Sequence, residues 1–376
     1  MAGRDTQLKR FNEILDTVES GKPANGLVHG LRGVGKTVLL EEFRRICIQR
    51  GFLPIRRSQF SEKYSISEEF GTALRYDVRT TIETFSRVKR IKDGIKSAVS
   101  YIKPKSVGVP DIFYYEPAYG GKKDTPFEDY LKDYLTTNWP VFEKAGFKGV
   151  VFLYDEFHTL VDKKYYGEYV LSDFIAAINE SQKASQRYVA VLCGLPNLRL
   201  NVKQARSYTE RMFTDIEVGY LDEGSSREAI ERALRGSGYT FTNALVDTMI
   251  ADTGGYPYFI QYYGKEIITN VAKAKVELTD YEQVKSFIAK ELDVSFFDPR
   301  YELASPEEQD VLCAMSKHSG SDITFDFIRK TTGKSRTGIS RILNRLEKKG
   351  MTYNLKRGTY RFSLPMFREY LKKRCG

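Results

Sequence analysis

The sequence predicts an α/β protein with a mostly parallel sheet, followed by an all-helical stretch and then a C-terminal helix–turn–helix carrying a β-hairpin. Three observations predict it. Short apolar runs alternate with helical patterns over the first 220 or so residues, which is how strands and crossover helices of a parallel sheet alternate. A glycine-rich loop joins the first of these runs to the first long helix. After Ser305 the pattern changes to short helices and then to a paired alternation of apolar residues. A chain of 376 residues exceeds what one core covers, and domain boundaries are expected at 1–221, 222–295 and 296–376.

Each element has its own signal. Leu8, Phe11, Leu15 and Val18 keep helical spacing, and Gly21 to Gly26 reads as a turn. Leu27–His29 is a short strand, followed by a helix from Thr37 to Gln49 with Leu40, Phe43, Ile46 and Cys47 on one side. Further strands are expected at Leu53–Arg57, Gly149–Tyr154, Tyr188–Cys193 and Ile216–Tyr220. Residues 60–135 are mostly helical in pattern. Arg87–Lys105 reads as a basic, solvated helix face, and a Pro- and Gly-rich stretch runs from Pro104 to Pro126. From Asp222 to Leu292 the pattern is helical throughout.

Composition narrows the class. With 41% hydrophobic and 29% charged residues the chain should be globular, and it holds no apolar run of about 18 residues to span a bilayer. The N-terminus, MAGRDTQLKRF, lacks the apolar segment of a secretory signal. Cys47, Cys193, Cys313 and Cys375 are scattered, and with the lone histidines His29, His158 and His318 they offer no zinc-ligand spacing. They point to a reducing cytoplasm, and no membrane partner is expected. The net charge of +10 is local: Arg329 to Gly376 holds 15 Lys/Arg against 2 Glu, the footprint of a polyanion partner or of a solvated basic surface.

Gly30-Leu31-Arg32-Gly33-Val34-Gly35-Lys36-Thr37 fits G-x-x-x-x-G-K-[ST], after a strand and opening a helix. Glycines let the backbone curl so that successive N–H groups face a phosphate, and the helix N-terminus adds its positive dipole. Gly30, Gly33, Val34, Gly35, Lys36, Thr37 and Val38 are therefore the candidate nucleotide contacts, the nucleotide being ATP by the resemblance given below. Lys36 would reach the β- and γ-phosphates, and the Thr37 hydroxyl would serve Mg²⁺. A Gly-rich turn before a core helix is the rival reading. "VVFLYDE", Val150 to Glu156, ends an apolar strand in two acids, tolerable only at its exposed C-terminal end, where ligands bind in open α/β sheets. Asp155 is placed to hold Mg²⁺ and Glu156 to activate a water.

With these motifs the chain resembles the AAA+ (ASCE-type P-loop) ATPases of the initiator class, the origin-recognition and cell-division-control ATPases and their bacterial and archaeal winged-helix relatives, bordering on STAND NTPases. The resemblance covers nearly the whole chain. It implies that "GRD" places Arg4 near the adenine, and that Asn197 in "VLCGLPNL" is the polar residue of sensor 1. It also implies that Arg211 in "SYTERMF" is an arginine finger, and that Gly255 and Pro257 in "TGGYPYFIQYYG" belong to the lid motif. The lid lacks the usual sensor 2 arginine and offers Lys265 instead, so slow hydrolysis and binding-driven switching are expected.

In the tail, Ser305-Pro306-Glu307-Glu308 reads as a helix start. Helices at Ile323–Lys330 and Ser335–Lys349 flank the turn "TTGK". Ile339, Ile342, Leu343 and Leu346 form a buried stripe, so Thr337, Arg341, Asn344 and Lys348, flanked by Arg345, project outward. Alternation at Met351, Tyr353, Leu355 and at Tyr360, Phe362, Leu364 around Lys356-Arg357-Gly358 makes a hairpin wing. The expected function is an ATP-dependent, homo-oligomerising switch on double-stranded DNA, read by the second helix, with Lys356 and Arg357 on phosphates. The alternative is a STAND-like signalling NTPase whose tail binds a protein partner.

Overall fold

The computed structural model describes residues 1–92, 125–206, 208–271 and 273–376; the Pro- and Gly-rich stretch, most of the basic segment Arg87–Lys105 and Ser207 of the finger segment lie outside them. The chain groups into two compact units, one of residues 6–29 and 36–217, the other of residues 1–5, 30–35 and 218–376.

The first unit is a five-stranded, wholly parallel sheet: β1 (Asn25–His29), β2 (Leu53–Arg57), β3 (Val150–Tyr154), β4 (Tyr188–Gly194) and β5 (Phe213–Glu217), in the order β2-β3-β4-β1-β5. The central strands β1, β3 and β4 are buried at every residue, as strands covered on both faces must be. Helices Asp5–Glu19, Lys36–Arg50, Ser67–Lys92, Phe127–Lys144 and Val170–Lys183 accompany the sheet. Aromatic rings dominate the core: Phe152, Tyr154, Phe157 and Phe174 meet at centroid distances of 5.5–6.0 Å.

Two expectations shift. The helix Lys36–Arg50 buries Leu39, Leu40, Phe43 and Cys47, so its apolar stripe is turned from the one through Ile46. β5 lies three residues earlier than the apolar alternation Ile216–Tyr220 indicated. Its pairing with β1, from Asn25↔Phe213 to His29↔Glu217, sets its position, and the hydrophobic pattern of an edge strand gives way to the ladder.

In the second unit, helices Glu223–Leu234, Asn243–Thr253, Pro257–Asn270 and Leu278–Leu292 make the expected helical stretch. It also holds a two-residue parallel pair, β6 (Thr240–Phe241) and β7 (Lys275–Val276), too short to leave a periodicity. A π-helical turn, Asp293–Phe297, carries the helical run on to Asp298–Glu302. There Phe296 meets Phe259 (5.5 Å between centroids), while Phe297 meets Phe367 (5.9 Å) and Tyr370 (5.1 Å), so one aromatic cluster joins the helical stretch to the tail.

The tail helix Pro306–Ser316 opens with a capping box of Ser305 and Glu308. Helix Phe325–Thr332, the turn at Gly333 (φ 66°) and helix Arg336–Lys348, capped by the Ser335 hydroxyl accepting from Gly338 N–H, form the helix–turn–helix. Ile323–Thr324, expected in a helix, is instead strand β8, which pairs antiparallel with β10 (Thr359–Phe362), itself paired with β9 (Thr352–Lys356). A last helix, Phe367–Cys375, was not expected. It packs on Pro306–Ser316 and brings Cys375 into a disulfide with Cys313, Cα atoms 5.8 Å apart. The two cysteines that looked scattered are thus a pair hidden by 62 residues of separation, while Cys47 and Cys193 are buried thiols. No helix among the described residues is long and apolar enough to cross a membrane.

Candidate functional site

In a parallel sheet, the residues that follow the C-terminal ends of neighbouring strands emerge on one edge. In the first unit this edge gathers Asp155 after β3, Asn197 after β4, and the start of helix Lys36–Arg50. Thr37 Oγ1 donates to Asp155 Oδ2 (2.7 Å), and the other carboxylate oxygen accepts from the Glu156 N–H (2.9 Å). Asp155 is 1% exposed and Lys36 6%. Burial pushes the Cys193 thiol well above its ordinary pKa; the adjacent Asp155 carboxylate adds to this and the Lys36 ammonium opposes it. The donor set fits a divalent cation: a carboxylate and a hydroxyl, both hard oxygens. Among the described residues no cluster of three His, Cys, Asp or Glu that could hold a metal ion is found, so Thr37 and Asp155 are the residues that would hold such a cation.

Glu156 adopts the left-handed conformation (φ 54°, ψ 25°), which costs a non-glycine residue on the order of 1 kcal/mol and turns the chain sharply out of the sheet. Its carboxylate lies 3.8 Å from His158 Nε2. Asn197 begins helix Leu198–Ala205, and its carboxamide oxygen is buried without a hydrogen-bond partner. An orphaned acceptor costs about 1–3 kcal/mol, a cost that a bound water or ligand would relieve. Arg206 is tied to Glu128 (2.6 Å) and Asp173 (3.7 Å), whereas Arg211, in helix Thr209–Met212, is exposed. Val38 is 61% exposed at the opening of its helix.

One network had no sequence signal. His29, the last residue of β1, is buried and contacts Asp215 of β5 (3.0 Å), which also pairs with Arg199 (3.2 Å), two residues beyond Asn197. Burial would raise the Asp215 pKa, but the His29 hydrogen bond and the nearby arginines hold it below the ordinary value. Sequence spacing cannot reveal such a group, because its members come from three elements brought together only by strand order.

In the second unit, Gly33 (φ 74°) and Gly35 (φ 94°) hold backbone geometries that suit glycine. A side chain at Gly33 would strike the Tyr256 hydroxyl, which donates to Arg32 O (2.6 Å), and one at Gly30 would strike Val218 O. Val34 is buried, and its carbonyl accepts from Arg4 (2.7 Å), whose guanidinium also donates to Gly219 O (2.9 Å). Arg4 is 3% exposed and burial lowers its pKa; its donors brace the loop backbone, a use the expected place near the adenine did not foresee. Pro257 is the first residue of its helix, and Lys265 is exposed beside Glu266 (3.3 Å).

In the tail, Ile339, Ile342, Leu343 and Leu346 are buried, and Thr337, Arg341, Asn344, Lys348, Lys356 and Arg357 are exposed. Arg345 is also exposed, and its guanidinium pairs with Glu308 (3.0 Å), which is 1% exposed and also holds Lys349 (2.5 Å). A buried carboxylate needs such partners, which Arg345 and Lys349 supply.

Residues 1–130 match the AAA ATPase domain family, and residues 294–371 match a domain of unknown function, DUF8462. No curated protein matches the chain. The Walker-type ATPase PABY2304 of Pyrococcus abyssi is 18% identical over 99% of this chain and 96% of that one, with a TM-score of 0.57. The Aeropyrum pernix Orc1 protein, solved in complex with DNA, is 15% identical over 99% and 92% (TM-score 0.46), and the AMPPCP-bound DnaA of Aquifex aeolicus is 15% identical over 99% and 93% (TM-score 0.42). The matched segment 1–130 contains the glycine-rich loop Gly30–Thr37, as an AAA ATPase domain requires. The protein is accordingly an ATPase, and it shares the fold of a Walker-type ATPase over nearly its whole length.

Proposed function

We propose that this protein is a slowly hydrolysing ATP switch that binds double-stranded DNA through its C-terminal helix–turn–helix and hairpin, and that assembles when ATP is bound. Its parts are an ATPase core (1–221), a helical lid (222–295) and a winged-helix region (296–376). The observation that carries the reading is the helix Arg336–Lys348, which buries one stripe and turns Thr337, Arg341 and Asn344 to solvent in a region with a large excess of positive charge. Such a helix suits a major groove, with Lys356 and Arg357 of the hairpin on the flanking phosphates.

For turnover, Lys36 would neutralise charge on the β- and γ-phosphates, and Thr37 and Asp155 would hold Mg²⁺. Bound there, Mg²⁺ would supply electrostatic stabilisation of the phosphates. Glu156, set by its strained backbone, would take a proton from the attacking water, and the orphaned oxygen of Asn197 would accept a hydrogen bond from that water. Arg211, exposed on its short helix, would reach a neighbouring copy's phosphates. The absence of a sensor 2 arginine supports slow turnover.

Fluorescence anisotropy with a labelled duplex, with and without ATP, tests the switch. Binding at low salt that ATP strengthens, and that Lys36→Ala makes blind to ATP, is expected. No duplex binding at low salt, or binding indifferent to nucleotide, would sink the reading. The diversion of Arg345 to Glu308 thins the outward charge and favours a second reading, a signalling NTPase whose tail binds a protein. That reading requires ATP-dependent capture of one specific partner.

A further inference from the structure

The loop after the Glu156 turn carries a feature the ATPase reaction does not use. Between Asp162 and Val170 the chain makes a short hairpin: Lys163 and Glu168 exchange backbone hydrogen bonds (2.7 and 3.3 Å), a 3₁₀ turn spans Lys164–Tyr166, and Gly167 (φ 70°) reverses the direction. At its tip Tyr165 is 93% exposed and Tyr166 75%, their rings edge to face at 5.2 Å. Two tyrosines held this far into water surrender the burial that normally stabilises aromatic side chains.

The turn is braced from below. Glu168 accepts from the N–H (2.9 Å) and hydroxyl (2.5 Å) of Ser67, at the start of helix Ser67–Lys92, and Asp162 accepts from the Ser172 N–H (3.1 Å) and hydroxyl. Both acids of the loop are thereby occupied inward. Facing out at the tip are two aromatic rings and the ammonium of Lys164, with Tyr169 (43% exposed) at the base and Lys163 at the stem reaching the Glu62 carbonyl (3.3 Å).

We propose that this turn is a contact for single-stranded nucleic acid, with Tyr165 and Tyr166 stacking on unpaired bases and Lys164 meeting the phosphate between them. Stacking tolerates any base and a preformed turn loses little entropy on binding, while the outward charge favours a polyanion over an acceptor-poor protein surface. A duplex, whose base faces are already stacked, satisfies the lysine but not the rings.

The test uses the full chain, a labelled oligothymidylate and a duplex of equal length, by anisotropy at low salt. Tyr165→Ala/Tyr166→Ala should weaken oligothymidylate binding at least about tenfold while duplex affinity, ATP binding and thermal stability stay as they were. Tyr165→Phe/Tyr166→Phe should keep binding, since phenyl rings stack. Lys164→Ala should flatten the salt dependence for the single strand. Arg341→Ala/Lys356→Ala, aimed at the duplex reading, should leave the oligothymidylate largely bound, so the two proposals fail separately. The inference is overturned if the wild type does not bind the single strand, if the alanine pair leaves that binding unchanged, if both nucleic acids lose affinity equally, or if the alanine pair alters only self-association.

Discussion

In the ATPase unit the decisive charges are out of water, with Asp155 1% exposed and Lys36 6%, whereas in the tail Arg341, Lys356 and Arg357 stand in solvent. The difference suits the chemistry proposed for each. Charge that must act on one transferring phosphoryl group gains by exclusion of water, where electrostatic interactions are stronger and pre-oriented. Charge that meets a long polyanion gains by releasing counterions and must remain accessible. Arg345 stands between the two, because an exposed guanidinium there also partners the buried Glu308.

The largest effect expected to sharpen this contrast is Glu156→Gln, which should keep ATP binding and lower turnover by roughly 10²–10⁴-fold, the range for loss of a general base, in a steady-state phosphate-release assay. Full activity would remove Glu156 from its role. Next is the staple of the tail. Closing 62 residues, the Cys313–Cys375 bond constrains the unfolded chain by up to about 4 kcal/mol in the chain-entropy account, so reduction or Cys375→Ser should lower the tail's unfolding midpoint in denaturant. Turnover measured at moderate temperature should not follow. A smaller effect is expected at the exposed charges: Arg341→Ala and Lys356→Ala should each reduce the slope of log affinity for duplex against log salt by about 1. A slope unchanged in both would place duplex binding elsewhere.

The smallest effect concerns a carboxyl that breaks the contrast. Glu347, on the helix of Arg341, is pushed by burial to a pKa of about 7 from an ordinary 4.5, against the opposing hydrogen bond from the Asn354 backbone. Its folded pKa is raised, so the stability it contributes is complete below about pH 4.5 and is lost as pH rises through about 7. Glu347→Gln should abolish that decline and leave the tail more stable than the parent at pH values above this window, read by chemical denaturation across the range. An unchanged pH profile would mean that the carboxyl is solvated.

Much of the fold and the candidate site was legible because it is written locally. The loop Gly30–Thr37, the acids closing β3, the capping box of Ser305 and Glu308 and the buried stripe of Ile339, Ile342, Leu343 and Leu346 each depend on spacing within one turn or one strand. The position of β5, the pair β6–β7 and strand β8 were not legible, since edge and two-residue strands take their places from the partner backbone.

By itself, the sequence determined that a glycine-rich G-x-x-x-x-G-K-[ST] loop precedes a helix, that two acids close a buried strand, and that positive charge gathers at the C-terminal end. Periodicity, glycine and charge are properties of neighbouring residues, so they survive in one dimension. Only the tertiary structure decided that Thr37 Oγ1 meets Asp155, that His29, Asp215 and Arg199 form one network, that Arg206 is spent where Arg211 is exposed, and that Cys313 finds Cys375. Those are encounters between residues dozens to hundreds of positions apart, fixed by strand order and helix packing rather than by any pattern along the chain.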